Sequence, residues 1–434
     1  MIFNKSIAFI YLIVQFTFMF LMKLFIPYTG LKKEIYFILI STTINAFGAL
    51  IFPFMTLLLN NKIGLSPSQT GYIVALTGLL YAPASLIGGK LSDKYGRKKI
   101  LIVFEILAAL SYFICIFLDP GMKMVLMLMS ASFFFGIAGP SHGAMIADLT
   151  TPEQRQGAYS LNYLGFNLGF AFAQILAGYL FQDYLQLMFI IDTATAMTGI
   201  FLIALFVPET YKPKITKEKD QKLKVTGESI IKVLLKKPIL IYFALAAFGY
   251  RFVYSQWSFM IPMQLEYNFT GEGAKLFGFL GSTNAFFVVI FTPIITALFA
   301  KKSNLDRIIY SGVLFTLGFG MLGVFSSKVA FFISVIIFTT GEILEAISIM
   351  PFIMNHTPET HRGRMNSVLP LIMGAGFSIG PIVMGTVLEK TSFSISWGIA
   401  ATVVLIATIG MILIRSYDLK LNKHLEVGGI EPPS

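Results

Sequence analysis

Apolar stretches of about 20 residues recur along the whole chain, separated by short polar breaks. A helix of that length crosses a hydrocarbon core of about 30 Å, whereas transmembrane barrel strands are roughly half as long. Within lipid, only helices and closed barrels satisfy every backbone N–H and C=O. The pattern therefore predicts an all-α membrane protein with 12 transmembrane helices. Spans 1 to 6 are placed at 35–59, 70–91, 100–118, 124–149, 158–181 and 187–207. Spans 7 to 12 follow at 239–265, 274–299, 308–325, 330–355, 365–388 and 393–414. A further apolar run over 7–26, interrupted by Gln15 and Lys23, reads as an extra N-terminal segment or as sequence ahead of a later start at Met22.

The polar breaks carry the organisation. Between spans 6 and 7, residues 208–238 hold nine Lys with Glu209, Glu218, Asp220 and Glu228, a hydrophilic linker with a short amphipathic helix over 229–235. The expected division is an uncertain hydrophobic segment at 1–33, a six-helix bundle at 34–208, a linker at 209–237, a second six-helix bundle at 238–416 and a disordered tail at 417–434. An internal repeat agrees with it. Thr151-Pro152-Glu153, with Arg155 and Gly157, follows span 4, and Thr357-Pro358-Glu359, with Arg362 and Gly363, follows span 10 at an offset of 206 residues. Loops on one side hold 25 of the 33 Lys and Arg, and loops on the other hold five: Lys62, Lys123, Lys275, Lys328 and Lys390. The positive-inside rule puts the linker and both bundle termini in the cytoplasm of a multi-pass protein of the cell membrane.

Composition narrows the class. The chain is 56% hydrophobic and only 13% charged, with a mean hydropathy of +0.76, where a soluble domain is about 25% charged. The net charge of +11 is explained by the one-sided loops and does not call for nucleic acid. Cys115 stands alone, which excludes a disulfide framework. Gly89-Lys90 is followed by Leu91, so no phosphate-binding loop of an ATP-driven pump is present, and His356 and His361 lack the His-Glu-x-x-His spacing. Neither an enzyme, a metal nor a cofactor is expected.

The stretch Gly88–Lys99, GGKLSDKYGRKK, lies between spans 2 and 3 and carries five Lys or Arg around one Asp. It matches Gly-x-x-x-Asp-[Lys/Arg]-x-Gly-[Arg/Lys]-[Lys/Arg] through Gly89, Asp93, Lys94, Gly96, Arg97 and Lys98. In this the chain resembles the major facilitator superfamily over about residues 34–416. The resemblance implies two pseudo-symmetric six-helix bundles that rock about a midplane cavity lined by spans 1, 4, 7 and 10. It also implies a conformational latch, with Asp93 meeting the start of span 11 and Arg97 paired with Asp148 at the end of span 4. The equivalent loop between spans 8 and 9 keeps Lys301, Lys302 and Arg307 but not the Gly-x-x-x-Asp frame.

Charges inside spans are costly and mark functional hypotheses. Arg251 lies in span 7, and Glu342 and Glu345 lie three residues apart on span 10, close to one helix face. Arg251 and one of the glutamates can pair across the cavity and trade a proton, or form a fixed ion pair. Asp192 in span 6 and Glu105 in span 3 are further proton-coupling candidates. Candidate cavity residues are Asn45, Phe54, His142, Tyr250, Tyr254, Trp257 and Asn284, with Phe47 as an added aromatic. The glycines at Gly165 and Gly169 in span 5, and at Gly376 and Gly380 beside Pro381 in span 11, predict tight contacts between the halves.

Loop 2–3, Ile146-Ala147-Asp148, the Gly341-Glu342 pair and Asp192 look like the 12-span drug:proton antiporters of that superfamily. The likeness implies efflux of small lipophilic or drug-like compounds in exchange for protons, by a monomer driven by the proton gradient. Two departures stand against it. Span 5 lacks the group's Gly-Pro, and Ser132–Gly136 in span 4 lacks the Arg of many proton-linked members, which shifts the coupling role to Arg251, Glu342 and Glu345. The alternatives are a proton-coupled symporter or facilitator of a metabolite such as a sugar or organic acid, and a non-transporting membrane sensor or scaffold.

Overall fold

The computed structural model describes residues 29–211, 237–357 and 362–427, with the side chains of 362–367 and 421–427 excepted. The expected N-terminal segment, the linker helix at 229–235 and the end of the tail lie outside the described residues. Among the described residues the fold is all-helical, and 10 helices are long and apolar enough to cross a membrane. The other two expected spans are helical but differ in kind. Span 3, Arg97–Cys115, opens on three cations and holds Glu105. Span 1 is split into Lys33–Gly48 and Met55–Leu57, the latter running into a π-helical turn at Leu58–Lys62.

Local chemistry sets the helix starts. Ser66 accepts the N–H of Gln69, whose side chain accepts the Ser66 N–H, and Pro67 takes the first position of span 2, Pro67–Tyr95. Thr151, Gln154 and Pro152 repeat this arrangement at span 5, Pro152–Leu180. Gly96, at φ +103°, is the single residue turning span 2 into span 3, a conformation that favours glycine.

Spans 1, 7 and 10 read as continuous in the sequence, and the structure breaks all three. The breaks fall at Ala49–Phe54, at Ser255–Phe259 between Pro238–Tyr254 and Met260–Asn268, and at Ile347–Ser348 between Lys328–Ala346 and Ile349–His356. Each includes the residue four before a proline: Ala49 before Pro53, Ser258 before Pro262, and Ile347 before Pro351. Proline has no N–H for that carbonyl, and its ring collides with it.

Spans 1–6 pack largely on one another, as do spans 7–12, and the halves meet chiefly through span 2 on span 11 and span 5 on span 8. The glycine expectation needs correcting here. Gly165 and Gly169 face Leu39 and Thr43 of span 1, and Gly376 and Gly380 face Phe248 and Phe252 of span 7, all within one half. The close approaches between halves are made by Gly71 under the Pro381 carbonyl and by Gly178 and Gly278 at the span 5–span 8 crossing. The tail expectation is corrected too. The last helix runs Phe393–Val427 because nothing from 415 to 427 breaks it before Gly428. Its extension is held by Arg415 Nε on Asp306 Oδ1 at 2.6 Å and by Asp418 Oδ1 against His356 Nε2 at 2.9 Å.

Candidate functional site

A cavity of about 930 Å³ lies among spans 1–6 and is closed on its other side by span 11. Aromatic rings form part of its wall, with Phe52, Phe135, Phe166, Phe170 and Phe377 among the lining residues. Its polar groups include Asn45, Glu105, His142 and Asp192, and among the described residues no Lys or Arg lines it. Thr42 donates to Asn162 Oδ1 at 2.8 Å and lies 3.0 Å from His142 Nε2. A hydroxyl has one proton, so His142 Nε2 is the donor in the second contact. Asp192 lies in span 6, Leu185–Phe206, and its Oδ2 accepts the Ile51 N–H at 3.4 Å inside the break of span 1.

Across from this cavity, spans 7, 8 and 10 bring a second group together. Arg251 Nη2 lies 3.4 Å from Glu345 Oε1, and Glu345 is 1% exposed. Asn284 Nδ2 donates to Glu342 Oε2 at 3.0 Å and to Thr339 Oγ1 at 2.8 Å. Tyr254 hydrogen-bonds Glu342 through its hydroxyl and leans on Phe315 and Phe338. The two glutamates therefore have different surroundings, one against a cation and one among neutral donors.

Four aromatic candidates and Asn284 do not line the cavity, and of these Tyr254 and Asn284 stand with Glu342 instead. Tyr250 is fully buried, its hydroxyl turned to the Ile308 carbonyl and Thr408 of spans 9 and 12. Trp257 packs between Phe277 and Phe338. Phe54 sits edge-on to Phe277 of the other half at 5.2 Å, beside Phe181. In each case the ring fills a helix crossing near a break rather than the open space. Phe47 is exposed and also outside the lining.

Among the described residues, the hydrogen bonds that join the halves lie at the end away from the basic loops. Thr56 Oγ1 donates at 2.7 Å to the Ser258 carbonyl, which Pro262 leaves without a helical donor. Glu389 Oε2 accepts from Ser66 Oγ at 2.9 Å and from the Ser68 N–H at 3.1 Å, and Ser68 Oγ lies 3.4 Å from Thr386 Oγ1. Phe54 on Phe277 and Lys275 over Tyr179 add to the closure.

At the basic end, Arg97 Nη1 meets Asp148 Oδ2 at 2.5 Å and the Ala144 carbonyl at 2.8 Å. Asp93 lies 3.9 Å from Arg97 Nη2 and is 71% exposed. Its expected partner, the start of span 11, falls on side chains outside those described. Lys98 Nζ reaches the Ala204 carbonyl at 2.7 Å, while Lys94 lies over the Tyr95 ring. Gly89 has open space around its Cα, so it does not mark a close approach here.

Glu209 was assigned to the linker by composition, and the structure folds it back onto this loop. It accepts the backbone N–H groups of Arg97 at 2.9 Å, Lys98 at 3.3 Å and Lys99 at 3.4 Å, capping span 3. Burial alone would push its carboxyl up, but the N–H groups of Tyr211, Lys98, Arg97 and Lys99 outweigh this and hold it below the usual carboxylate value. The missed signal was an acid directly after Pro208 at the end of span 6. Thr42, Asn162 and Thr339 were missed because single hydroxyls and amides inside spans are common.

Comparisons with known proteins agree with this architecture. A Na(+), Li(+), K(+)/H(+) antiporter of Planococcus maritimus is 23% identical over 362 residues, covering 77% of this chain and 84% of its own. The class H tetracycline resistance protein of Pasteurella multocida is 29% identical over 290 residues, covering 63% and 70%. A crystal structure of the peptide transporter POT in complex with sulfate superposes with a TM-score of 0.71 at 16% identity, covering 89% of this chain and 96% of that one. A bacterial homolog to the human lysosomal transporter Spinster, in an inward-facing and occupied conformation, gives 0.68 at 16% identity over 89% and 97%. The two structures share the fold. Since the family model of the Major Facilitator Superfamily matches residues 35–369, a membrane transporter family with no enzymatic role, this chain belongs to the Major Facilitator Superfamily.

Proposed function

We propose that this transporter exports small lipophilic compounds, neutral or cationic, from the cell in exchange for protons. The observation that carries this is the cavity. Its volume of about 930 Å³ falls in the range of about 300–1,000 Å³ typical of sites for drug-sized ligands. Its aromatic walls suit apolar bodies, and two carboxylates with no Lys or Arg among the lining residues favour positive over negative charge. The tetracycline resistance named for two relatives supports a drug-like substrate, and the cation/proton relative supports antiport.

In this reading the basic loops face the cytoplasm of the cell membrane and the closed end faces outward, so the conformation gives access from inside. Six helices on each side of the linker, acting as a monomer, rock about the cavity. The proton gradient supplies the energy and no cofactor takes part. Arg251, Glu342 and Glu345 carry the coupling. Arg97, Asp148 and Asp93, with Gly96 as the turn and Lys94 and Lys98 beside it, form the latch of the cytoplasmic end. The test is dye efflux from a drug-sensitive host, with and without an uncoupler. Efflux lost on uncoupling, and lost in Glu342→Gln with protein still in the membrane, supports the proposal. Uptake of one hydrophilic metabolite overturns it.

Exchange of monovalent cations for protons is the second reading, favoured by the Planococcus relative and by Glu105 and Asp192 in the cavity wall. Dissipation of a preset pH gradient in vesicles by Na⁺ or K⁺, with no dye efflux, would select it.

A further inference from the structure

The break in span 1 leaves backbone N–H groups without helical acceptors at bilayer depth, where an unpartnered group is costly. Asp192, 4% exposed, supplies an acceptor: its carboxylate takes the N–H of Ile51, while the Leu50 N–H turns to the Gly48 carbonyl. The same side chain lines the cavity. A few residues further along, the broken segment carries two of the groups that close the far end. Phe54 lies edge-on to Phe277, and Thr56 donates to the Ser258 carbonyl, both across the halves. Gly48, at the edge of the break, has its Cα packed against Thr195, one turn from Asp192, so span 6 holds this corner of span 1 at two points.

We propose that Asp192 is a positioning residue that ties the state of the cavity to the outer gate. Ionised, it clasps the broken turn of span 1 and keeps Phe54 and Thr56 seated on the opposite half. A positively charged substrate entering the cavity competes for the carboxylate, loosens the turn and lets the far end open. Among the described residues no Lys or Arg lines the cavity to compete first. The neighbouring titratable groups are Tyr112 on span 3, with Glu105 and His142 in the cavity wall. The cationic trigger rests on the substrate class proposed above, whereas the clasp does not.

The test uses the full chain in nanodiscs, spin-labelled at Asn61→Cys and Ser326→Cys, two exposed positions on opposite halves at the closed end. Asp192→Asn keeps an acceptor but loses the charge, and charged hydrogen bonds are about twice as strong as neutral ones. The open fraction without ligand should therefore rise by about fivefold. Tetraphenylphosphonium should open the wild type and add little in Asp192→Asn. An unchanged distance distribution in ligand-free Asp192→Asn overturns the clasp. Opening in that variant with no response of the wild type supports the clasp and counts against the cationic substrate. Should the variant not fold, hydrogen exchange of residues 49–54 in the wild type decides: acceleration by the cation supports the proposal, and an unchanged rate overturns it.

Discussion

Breaking the Arg251–Glu345 pair from its two sides should give unequal losses. Neither Glu345 oxygen reaches solvent or has a hydrogen-bond partner among the described residues, and Arg251 Nη2, at 3.4 Å, is the counter-charge it has. Arg251, by contrast, is 32% exposed and can take water from the side. Arg251→Met therefore strands a buried carboxylate, a situation that costs about 3–5 kcal/mol. Glu345→Gln leaves a cation that can hydrate, at a cost of about 1 kcal/mol. The double variant removes the stranded charge and should sit close to Glu345→Gln, so the interaction energy of the cycle is about 3–5 kcal/mol. SDS-titration unfolding of the four purified proteins measures the cycle, and transport in vesicles measures coupling in parallel. Equal and additive losses from the two single variants would refute the reasoning, because the pair would then be two independent surface-like charges.

Three further outcomes follow from the two ends of the molecule. Asp93→Asn, at a position 71% exposed, should change stability by less than about 0.5 kcal/mol yet slow turnover without altering which compounds are carried; an altered range in the efflux panel would argue against a latch. Glu209→Gln removes a charged cap from span 3 and should cost about 1 kcal/mol at neutral pH. Because the folded-state carboxyl is held low, the wild type keeps this contribution above the ordinary carboxylate value and loses it as pH falls through the lowered one, so the two proteins should converge in acid-unfolding curves. Gly71→Val drives a side chain into the Pro381 carbonyl of the opposite half, and the label pair at the far end should report a larger open fraction.

Much of the architecture is legible in the sequence because lipid imposes a simple code. Span lengths and the basic loop follow from local pattern, whereas the loop expected over 92–99 is drawn into helix on both sides of a single-residue turn at Gly96. The Arg97–Asp148 contact was implied by the family resemblance, and a pairing of Arg251 with Glu342 or Glu345 was accessible because few charges sit inside the spans. What escaped was three-dimensional. Phe54, Tyr250 and Trp257 resemble cavity aromatics in sequence, and only the packing of spans 8, 9, 10 and 12 turns them elsewhere. The stripe of Gly165 and Gly169 announced a close approach but not whether span 1 or span 8 was the neighbour. Glu209 looked like one more charge of a polar linker until the fold placed it under three backbone N–H groups.

The prolines at 53, 262 and 351 connect these observations to movement. Each break lowers the local helical cost of bending, and each frees backbone groups that must find partners inside the protein. The Ser258 carbonyl freed by Pro262 takes the Thr56 hydroxyl of the other half, and the Ile51 N–H in the break before Pro53 takes Asp192. The closed end is thus held partly by groups that proline made available. Among the described residues the hydrogen bonds crossing that end are the Thr56 bond, two to Glu389 and the Ser68–Thr386 contact. At about 0.5–1.5 kcal/mol each, they amount to only a few kcal/mol. The remaining contacts include glycine against backbone, at Gly71 on Pro381 and Gly278 on Gln174, and the aromatic contacts of Phe54 with Phe277 and of Lys275 with Tyr179. A differential affinity of about 5.5 kcal/mol reverses a two-state population from 1:99 to 99:1. A substrate and a proton can supply energies of that order, so this end is strong enough to stay shut in the empty protein and weak enough to be opened by what it carries.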